Sequence, residues 1–156
     1  MDRVRSVCAF LFWLLIPYTA AVVGSRFAPG DWYASLAKPA WNPPSYVFAP
    51  VWTVLYGMMG VAAWFVWRER GLFGAKAAFG LFFVQLILNA AWSCIFFGLH
   101  EPGFALAELV ALWAFIFLTV LAFWRVKPLA AGLLLPYFCW TAFAAVLNYQ
   151  LWILNR

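Results

Sequence analysis

Charged side chains are scarce in this sequence. Asp, Glu, Lys and Arg make up 10% of its 156 residues, whereas an average soluble domain carries about 25%. Hydrophobic residues make up 68%, and a soluble domain of this length has too small a core to bury such an excess. The composition therefore excludes a water-soluble monomer and a disordered chain, and it predicts a protein embedded in lipid.

Other scarcities exclude classes of site. His100 is the only histidine, so a two-His metal site cannot form within one chain. The three cysteines, Cys8, Cys94 and Cys139, lie within apolar segments, which argues against a disulfide framework. The sequence contains no paired carboxylates, glycine-rich phosphate loop or nucleophile beside a base, and so predicts neither a catalytic constellation nor a metal site. The ten basic residues form no patch, and we expect no nucleic-acid partner.

Five apolar runs are long enough to cross the roughly 30 Å of hydrocarbon in a bilayer. They cover about residues 6–25, 46–67, 77–97, 102–124 and 128–153. Each must be helical, because lipid offers no partner to unpaired backbone groups. The predicted fold is an all-α integral membrane protein: one domain over residues 1–156, with five transmembrane helices and a structured first loop. Short later connections predict that consecutive helices are antiparallel neighbours.

The first run has two interpretations. Arg3 and Arg5 ahead of an apolar stretch are also typical of a signal peptide. The run is longer than a usual signal-peptide core, and Trp13 and Pro17 interrupt it. We therefore favour a retained helix.

Basic residues predict the orientation. With five spans, the N-terminus shares a side with the second-to-third and fourth-to-fifth connections. Seven basic residues lie on that side and three on the other. The positive-inside rule then predicts a cytoplasmic N-terminus and an outside C-terminus in a bacterial cell membrane.

Only the first connection, residues 26–45, is long. Asp31 is a good N-cap for a short helix over residues 32–37, which Pro39 ends. The loop is either a rigid interfacial connector or a lid over a cavity between helices. Its aromatic residues around the single Lys38 exceed what an interfacial anchor needs and favour the lid. They are Trp32, Tyr33 and Trp41.

Polar and aromatic residues at helical spacing mark one face on each of three spans. They are Trp52 and Tyr56 in the second span, Gln85, Asn89 and Trp92 in the third, and Trp140, Ala144 and Asn148 in the fifth. Each set alone is explained by helix–helix hydrogen bonds, worth about 0.6 kcal/mol each. Together they are equally consistent with an aromatic-walled cavity that has a few polar contacts.

Two further features in the spans have alternative explanations. Glu108 is a lone acid in the fourth span and so a functional candidate, but it is also near enough to the interface to stay hydrated, and we favour the structural role. Ala90, Cys94 and Gly98 form a ladder of small residues on the third span. The ladder fits close packing within the bundle and a homodimer interface equally well.

Motifs from about residue 23 to 152 carry a resemblance to a known family. They are Trp32-Tyr33, Leu36, Lys38-Pro39, Trp41-Asn42-Pro43-Pro44, Trp52, Leu55-Tyr56, Gln85-Leu86, Asn89, Trp92, Phe96-Phe97-Gly98, Pro136-Tyr137, Trp140, Phe143-Ala144 and Leu147-Asn148-Tyr149. In order and spacing they resemble the TspO/MBR family. These are the tryptophan-rich sensory proteins, related to the mitochondrial translocator protein or peripheral benzodiazepine receptor.

The resemblance implies a five-helix membrane receptor or sensor, commonly a homodimer, with a role in tetrapyrrole transport or regulation. It implies binding of protoporphyrin IX and benzodiazepine-type ligands in a pocket under the first loop, with no obligatory cofactor. Matching ligand positions are Tyr33, Trp41, Trp52, Tyr56, Asn89, Trp92, Trp140, Phe143 and Ala144. To these we add Lys38, as a cation near the loop, and Asn148, from the stripe on the fifth span. The alternative function implied by some bacterial relatives is light-dependent porphyrin degradation, with Trp52 and Trp140 at the implicated positions.

A porphyrin also makes physical sense as the ligand. Trp52 and Trp140 can stack on its flat ring, each pair worth about 0.5–1.5 kcal/mol beyond burial. Lys38 or Arg26 can pair with its propionates near water. Haem iron needs an axial ligand, and neither His100 nor Cys139 is an obvious one. We therefore expect metal-free porphyrin to bind at least as well as haem.

Cholesterol fits less well. The proposed cholesterol motif needs a basic residue after Tyr with at most five residues between them. Six residues separate Tyr149 from Arg156. Cholesterol is therefore not expected as the natural ligand.

Overall fold

The structure is a computed structural model that describes residues 3–156. The elements are α1 (Arg3–Gly24), α2 (Asp31–Ser35), α3 (Ser45–Gly74), α4 (Lys76–Ser93), α5 (Pro102–Trp124) and α6 (Pro128–Leu154), with a π-helical turn over Cys94–Gly98 that continues α4. All but α2 are long and apolar enough to cross a membrane. The predicted fold class, a five-helix membrane protein, is confirmed.

Helix ends follow local chemistry. Helices α5 and α6 begin at Pro102 and Pro128, because proline suits the first helical position. Helix α3 continues past residue 67 to Gly74, with a break at Gly71, whose φ of +66° is a left-handed conformation that favours glycine.

The predicted cap of the loop helix is wrong. Gly30 holds the N-cap position, and Asp31 is the first residue of α2, where its carboxylate faces the positive end of the helix dipole.

The five long helices form a ring in the order α1, α3, α6, α5, α4. Helix α1 packs on α3 and α4, and α6 packs on α3 and α5. The prediction that consecutive helices are neighbours holds for α4 with α5 and for α5 with α6. It is wrong for α3 and α4, which touch little, because α1 and α6 occupy the two sides of α3. Helix α1 is thus an integral part of the bundle.

Gly60 permits a close crossing of α1 and α3. A Cβ atom at this position would lie 2.6 Å from the Leu14 Cα atom and 2.8 Å from the Leu14 carbonyl oxygen. Real Cβ atoms do not approach backbone that closely, so any larger residue would push α1 away from α3. A small residue at a crossing is the usual means by which membrane helices approach each other.

One ion pair, at the end of the bundle opposite the first loop, joins the last part of α3 to the α5–α6 connection. Lys127 Nζ lies 2.7 Å from Glu69 Oε1. The α3–α4 and α5–α6 connections therefore lie at the same end, as the five-span topology requires. Arg3 was counted among the basic residues of this end, but its side chain is outside the described part of the chain.

This end of the bundle, here called the packed half, is filled by side chains. Its fully buried residues include Met59, Ala62, Ala63, Val66, Phe79, Phe82, Phe123, Ala130 and Ala131. The Trp13 and Phe79 rings stack with centroids 4.6 Å apart, and the Phe82 and Phe123 rings stack at 5.7 Å. Alternation of alanines with large rings lets the helices approach and leaves little free space between them.

Candidate ligand-binding cavity

A cavity of about 720 Å³ lies between the helices at the end near the first loop. Its volume is within the roughly 300–1,000 Å³ typical of small-molecule sites. All five spanning helices contribute to its wall. The contributing side chains include Tyr18 of α1, Trp52 and Tyr56 of α3, Asn89 and Trp92 of α4, Leu109 and Leu112 of α5, and Trp140, Ala144 and Leu147 of α6.

The first loop roofs this cavity. Its lining residues are Phe27, Ala28, Pro29, Tyr33, Lys38, Asn42, Pro43, Pro44 and Ser45. Of the two interpretations of the loop, the structure therefore matches the lid and not the interfacial connector. Four prolines in residues 26–45 restrict the unfolded loop and so lower the entropic cost of ordering it.

Aromatic contacts dock the lid on the end of α4. The Trp32 ring stacks on His100 with centroids 4.3 Å apart, and the Tyr33 ring meets Phe97 edge-on at 5.4 Å. Burial raises the pKa of the Tyr33 hydroxyl above its ordinary value. Tyr33 thus lines the cavity with a partly buried, neutral hydroxyl group.

All predicted site residues line the cavity except Trp41 and Phe143. Trp41 is 48% exposed, and its ring meets the Phe143 ring edge-on at 5.9 Å. The Phe143 ring in turn lies 5.3 Å from the Trp140 ring. Trp41 and Phe143 therefore support the wall from behind.

A chain of buried polar side chains crosses the bundle at the cavity wall. The Tyr56 hydroxyl donates to Asn89 Oδ1 (2.5 Å), Asn89 Nδ2 donates to the Tyr137 hydroxyl (3.0 Å), and that hydroxyl donates to Gln85 Oε1 (2.8 Å). These bonds link α3, α4 and α6. Gln85 does not line the cavity, so it serves helix contact, whereas Tyr56 and Asn89 serve both. Tyr137 was not predicted as part of the site, and Pro136-Tyr137 in the family motifs was its only sequence signal.

A second polar pair fixes the neighbouring wall. Trp92 Nε1 donates to Asn148 Oδ1 at 3.0 Å, and Asn148 Nδ2 donates to the Pro102 carbonyl oxygen at 2.8 Å. These bonds tie α4, α6 and the start of α5 together. Because the indole N–H of Trp92 is used, this residue presents only its ring to the cavity. Asn148 thus joins helices and also lines the cavity.

Lys38 lines the cavity, but its ammonium group has another role. Lys38 Nζ donates to the carbonyl oxygens of Tyr33 (2.6 Å), Ala34 (3.2 Å) and Leu36 (3.1 Å). These carbonyls lie at the C-terminal end of α2, where backbone acceptors lack helical partners. The ammonium group of Lys38 therefore stabilises the lid, and its pairing with a ligand propionate stays a prediction. Arg26 is exposed between the cavity-lining Ser25 and Phe27 and remains available for an anionic group.

The remaining candidate residues lie outside the cavity. His100 is stacked on Trp32, and Cys139 is exposed on the outside of α6. Glu108 does not line the cavity, and both its carboxylate oxygens are shielded without a hydrogen-bond partner in residues 3–156. Over the same range, no group of three or more His, Cys, Asp or Glu side chains is placed to hold a metal ion.

At least one residue of the small-residue ladder serves packing within the chain. A Cβ atom at Gly98 would lie 2.7 Å from the Phe27 ring, so Gly98 makes room for the start of the lid. Ala90 lies on a shallow groove between α1 and α4, on the outside of the bundle. Of the three ladder residues, Gly98 therefore has a function in internal packing.

Comparison with known proteins agrees with the geometry. The model of the TspO/MBR family matches residues 7–153. The chain is 46% identical over 143 residues to a translocator protein of Homo sapiens, covering 88% of this chain and 85% of the relative. It is 45% identical over 139 residues to a tryptophan-rich protein TspO of Chlorobaculum tepidum, covering 85% and 86%. It is 38% identical over 154 residues to protein CrtK of Rhodobacter capsulatus, covering 96% and 94%.

Proposed function

Because this chain belongs to the TspO/MBR family of membrane proteins, we propose that it is a membrane receptor or sensor for porphyrins. Protoporphyrin IX and related tetrapyrroles bind in the cavity under the first loop, in support of tetrapyrrole transport or regulation. The observation that carries this proposal is the cavity of about 720 Å³ with Trp52, Trp92 and Trp140 in its wall. No cofactor is needed for binding.

The wall suits a flat aromatic ligand. Trp52 and Trp140 are half-buried, so part of each indole faces open space. Neighbouring rings restrain them: Tyr56 lies 5.4 Å from Trp52, and Phe48 lies 6.0 Å from Trp140. Rings held in this way lose little entropy when a ligand stacks on them, and each stacked pair contributes about 0.5–1.5 kcal/mol beyond burial.

The lid side suits the acidic edge of such a ligand. A porphyrin carries two propionates, which favour cations near water. Arg26 is exposed in the chain between the cavity-lining Ser25 and Phe27, and the Tyr33 hydroxyl adds a neutral polar group to the lining. The ligand would therefore bind with its ring between the helices and its propionates toward the lid.

Fluorescence titration tests this proposal. We expect metal-free protoporphyrin IX to quench tryptophan fluorescence with an affinity at least equal to that of haem. Trp52→Phe and Trp140→Phe should each weaken binding by about 2- to 10-fold, because the smaller phenyl ring stacks on less of the porphyrin. Trp124→Phe is the matched control, since Trp124 is 59% exposed at the far end of α5. Much tighter haem binding, or equal effects of all three variants, would contradict the proposal.

A second candidate function is light-dependent porphyrin degradation. The observation that favours it is that Trp52 and Trp140 both line the cavity and could pass an electron to or from an excited porphyrin. Illumination of the porphyrin complex distinguishes the two functions. If product formation stops in Trp52→Phe and Trp140→Phe while binding persists, the protein is an enzyme; if no product forms in the wild type, it is a receptor.

Orientation and assembly complete the proposal. In a bacterial cell membrane the N-terminus would be cytoplasmic and the lid would face outward, because the basic residues cluster at the opposite end. The chain would form a homodimer through the outer face of α4, with Ala90 and Cys94 at the contact. Labelling of an introduced surface cysteine in sealed cells tests the orientation, and the mass of the detergent-solubilised protein tests the dimer.

A further inference from the structure

The lid is joined to the end of α6 by a pair of reciprocal amide hydrogen bonds. The Ala37 backbone N–H donates to Asn155 Oδ1 at 2.9 Å, and Asn155 Nδ2 donates back to the Ala37 carbonyl oxygen at 3.0 Å. The two residues are 118 positions apart. Asn155 is the first residue after α6, so its side chain is presented at a fixed point on the rim of the cavity.

The same side chain also contacts the cavity wall. Asn155 Nδ2 donates to the Leu151 carbonyl oxygen at 2.7 Å, and Leu151 lines the cavity. On the lid side, Ala37 is followed by Lys38, whose ammonium group bonds to the last carbonyls of α2. Ala37 and α2 therefore move as one unit, and Asn155 holds that unit against the wall.

The other attachments of the lid differ in kind. Trp32 on His100 and Tyr33 on Phe97 are contacts between rings near the end of α4. Ring contacts are weakly directional and tolerate small rotations, whereas amide hydrogen bonds weaken steeply when their angle changes. Loss of the Asn155 bonds would leave the lid held by ring contacts alone, on the α4 side and through Trp41 on Phe143 of α6, and so freer to move away from the end of α6.

We propose that Asn155 is a latch that sets the rate at which ligands enter and leave the cavity. It is a positioning residue, since it lies outside the cavity lining and would not touch the ligand. The proposal rests on the proposed function only in taking the ligand to be a porphyrin. The latch itself is a property of the lid and can be measured without any ligand.

The experiment compares three variants of the full chain in lipid nanodiscs. Asn155→Ala removes both bonds to Ala37. Asn155→Asp keeps an acceptor for the Ala37 N–H but loses the donor to the Ala37 carbonyl. Gln150→Ala is the matched control: it shortens another amide of α6, and Gln150 makes no side-chain hydrogen bond within the described chain and does not line the cavity.

The first measurement is amide hydrogen exchange over residues 36–42 without ligand. Loss of two partly exposed hydrogen bonds predicts faster exchange by on the order of tenfold in Asn155→Ala. Asn155→Asp should lie between this variant and the wild type, and Gln150→Ala should match the wild type. Equal exchange in all four proteins would overturn the latch.

The second measurement is stopped-flow quenching of tryptophan fluorescence by protoporphyrin IX. A latch acts on opening, so Asn155→Ala should raise the association and dissociation rate constants together by on the order of tenfold. The dissociation constant should change less than threefold, which loss of a binding contact would not produce. Unchanged rate constants would mean that the ligand passes between the helices, and would overturn the proposal. If the wild type binds no porphyrin, the proposed function fails, and hydrogen exchange alone decides the latch.

Discussion

The two halves of the bundle use the same residue types for opposite purposes. The packed half fills its interior with them, and the half under the first loop, here called the cavity half, lines open space with them. In the packed half, Phe82 and Phe123 stack with no exposed surface, and Ala62 and Ala63 let the helices approach. In the cavity half, Trp52 and Trp140 stand at the edge of open space. The difference lies in how the rings are covered: buried rings meet other rings and alanines, whereas the cavity rings are held by hydrogen-bonded neighbours and a separate roof. Aromatic content alone therefore does not predict a binding site.

The largest effect should come from truncating a ring in the packed half. Phe82→Ala removes a side chain with 0% exposure and should lower the free energy of unfolding by about 3–5 kcal/mol. Phe48→Ala, at the edge of the cavity, should cost far less stability but weaken porphyrin binding. Denaturant unfolding in detergent, paired with a binding titration, checks both. Equal losses of stability would erase the distinction between the halves.

The next largest effect concerns the crossing of α1 and α3. Gly60→Ala places a Cβ atom against the Leu14 backbone and should destabilise the protein by about 1–3 kcal/mol through overpacking. Gly132→Ala is the control, because nothing lies within 4 Å of the added atom. Since glycine weakens a helix interior by about 0.5–1 kcal/mol, this control should be neutral or stabilising. Denaturant unfolding in detergent compares the two variants, and a stable Gly60→Ala variant would refute the close crossing.

Filling the cavity should separate binding from stability. Ala144→Phe projects a ring into space beside Trp140 and should weaken porphyrin binding more than tenfold, which corresponds to about 1.4 kcal/mol. Its melting temperature should stay near that of the wild type, because the ring enters empty volume. Val146→Phe, on the exposed face of α6, should change neither quantity. Normal binding by Ala144→Phe would show that the ligand lies elsewhere.

A smaller effect on stability is expected from the buried hydrogen-bonded side chains that link Tyr56, Asn89, Tyr137 and Gln85. Tyr56→Phe removes the donor to Asn89 Oδ1 and should cost about 1 kcal/mol, since a buried acceptor loses its partner. Porphyrin binding should weaken only slightly, because the ring of residue 56 remains. Thermal unfolding and titration of the same preparation measure the two changes. A loss of binding larger than the loss of stability would mean that the hydroxyl itself contacts the ligand.

The smallest effect concerns pH and the lid. Burial raises the pKa of Tyr33 above 10.0, so the folded lid holds this proton more tightly than the unfolded chain does. The contribution of the protonated Tyr33 to the free energy of unfolding is therefore fully present below pH 10, and it is lost as the pH rises through the pKa of Tyr33 in the folded protein. The absorbance of tyrosinate in an alkaline titration follows Tyr33 directly, with Tyr33→Phe as the blank. An ordinary pKa would mean that the lid does not cover Tyr33.

The sequence alone predicts the spans well but the interior poorly. Runs of 20 apolar residues in lipid can only be helices, and Pro102 and Pro128 mark helix starts by their own chemistry. The rest of each helix surface is apolar, however, and its pattern does not tell lipid-facing residues from those that meet a neighbouring helix. The sequence therefore does not predict the ring order of the helices, the weak contact between α3 and α4, or the crossing at Gly60.

The site was predictable where helical spacing applies and unpredictable elsewhere. Trp52 with Tyr56 and Trp140 with Ala144 are four residues apart, so each pair reaches the cavity together. The role of Lys38 as a cap inside the lid depends on the fold of α2, which spacing does not describe. The bonds of Asn155 join residues 118 positions apart, and no local pattern indicates them.

The most direct test of the account is an experimental structure of the protein saturated with metal-free protoporphyrin IX in lipid nanodiscs. We predict planar ligand density under the first loop, in contact with Trp52 and Trp140, with the propionates toward Arg26. Ligand density on the outer, lipid-facing surface, with the space between the helices empty at saturation, would contradict it.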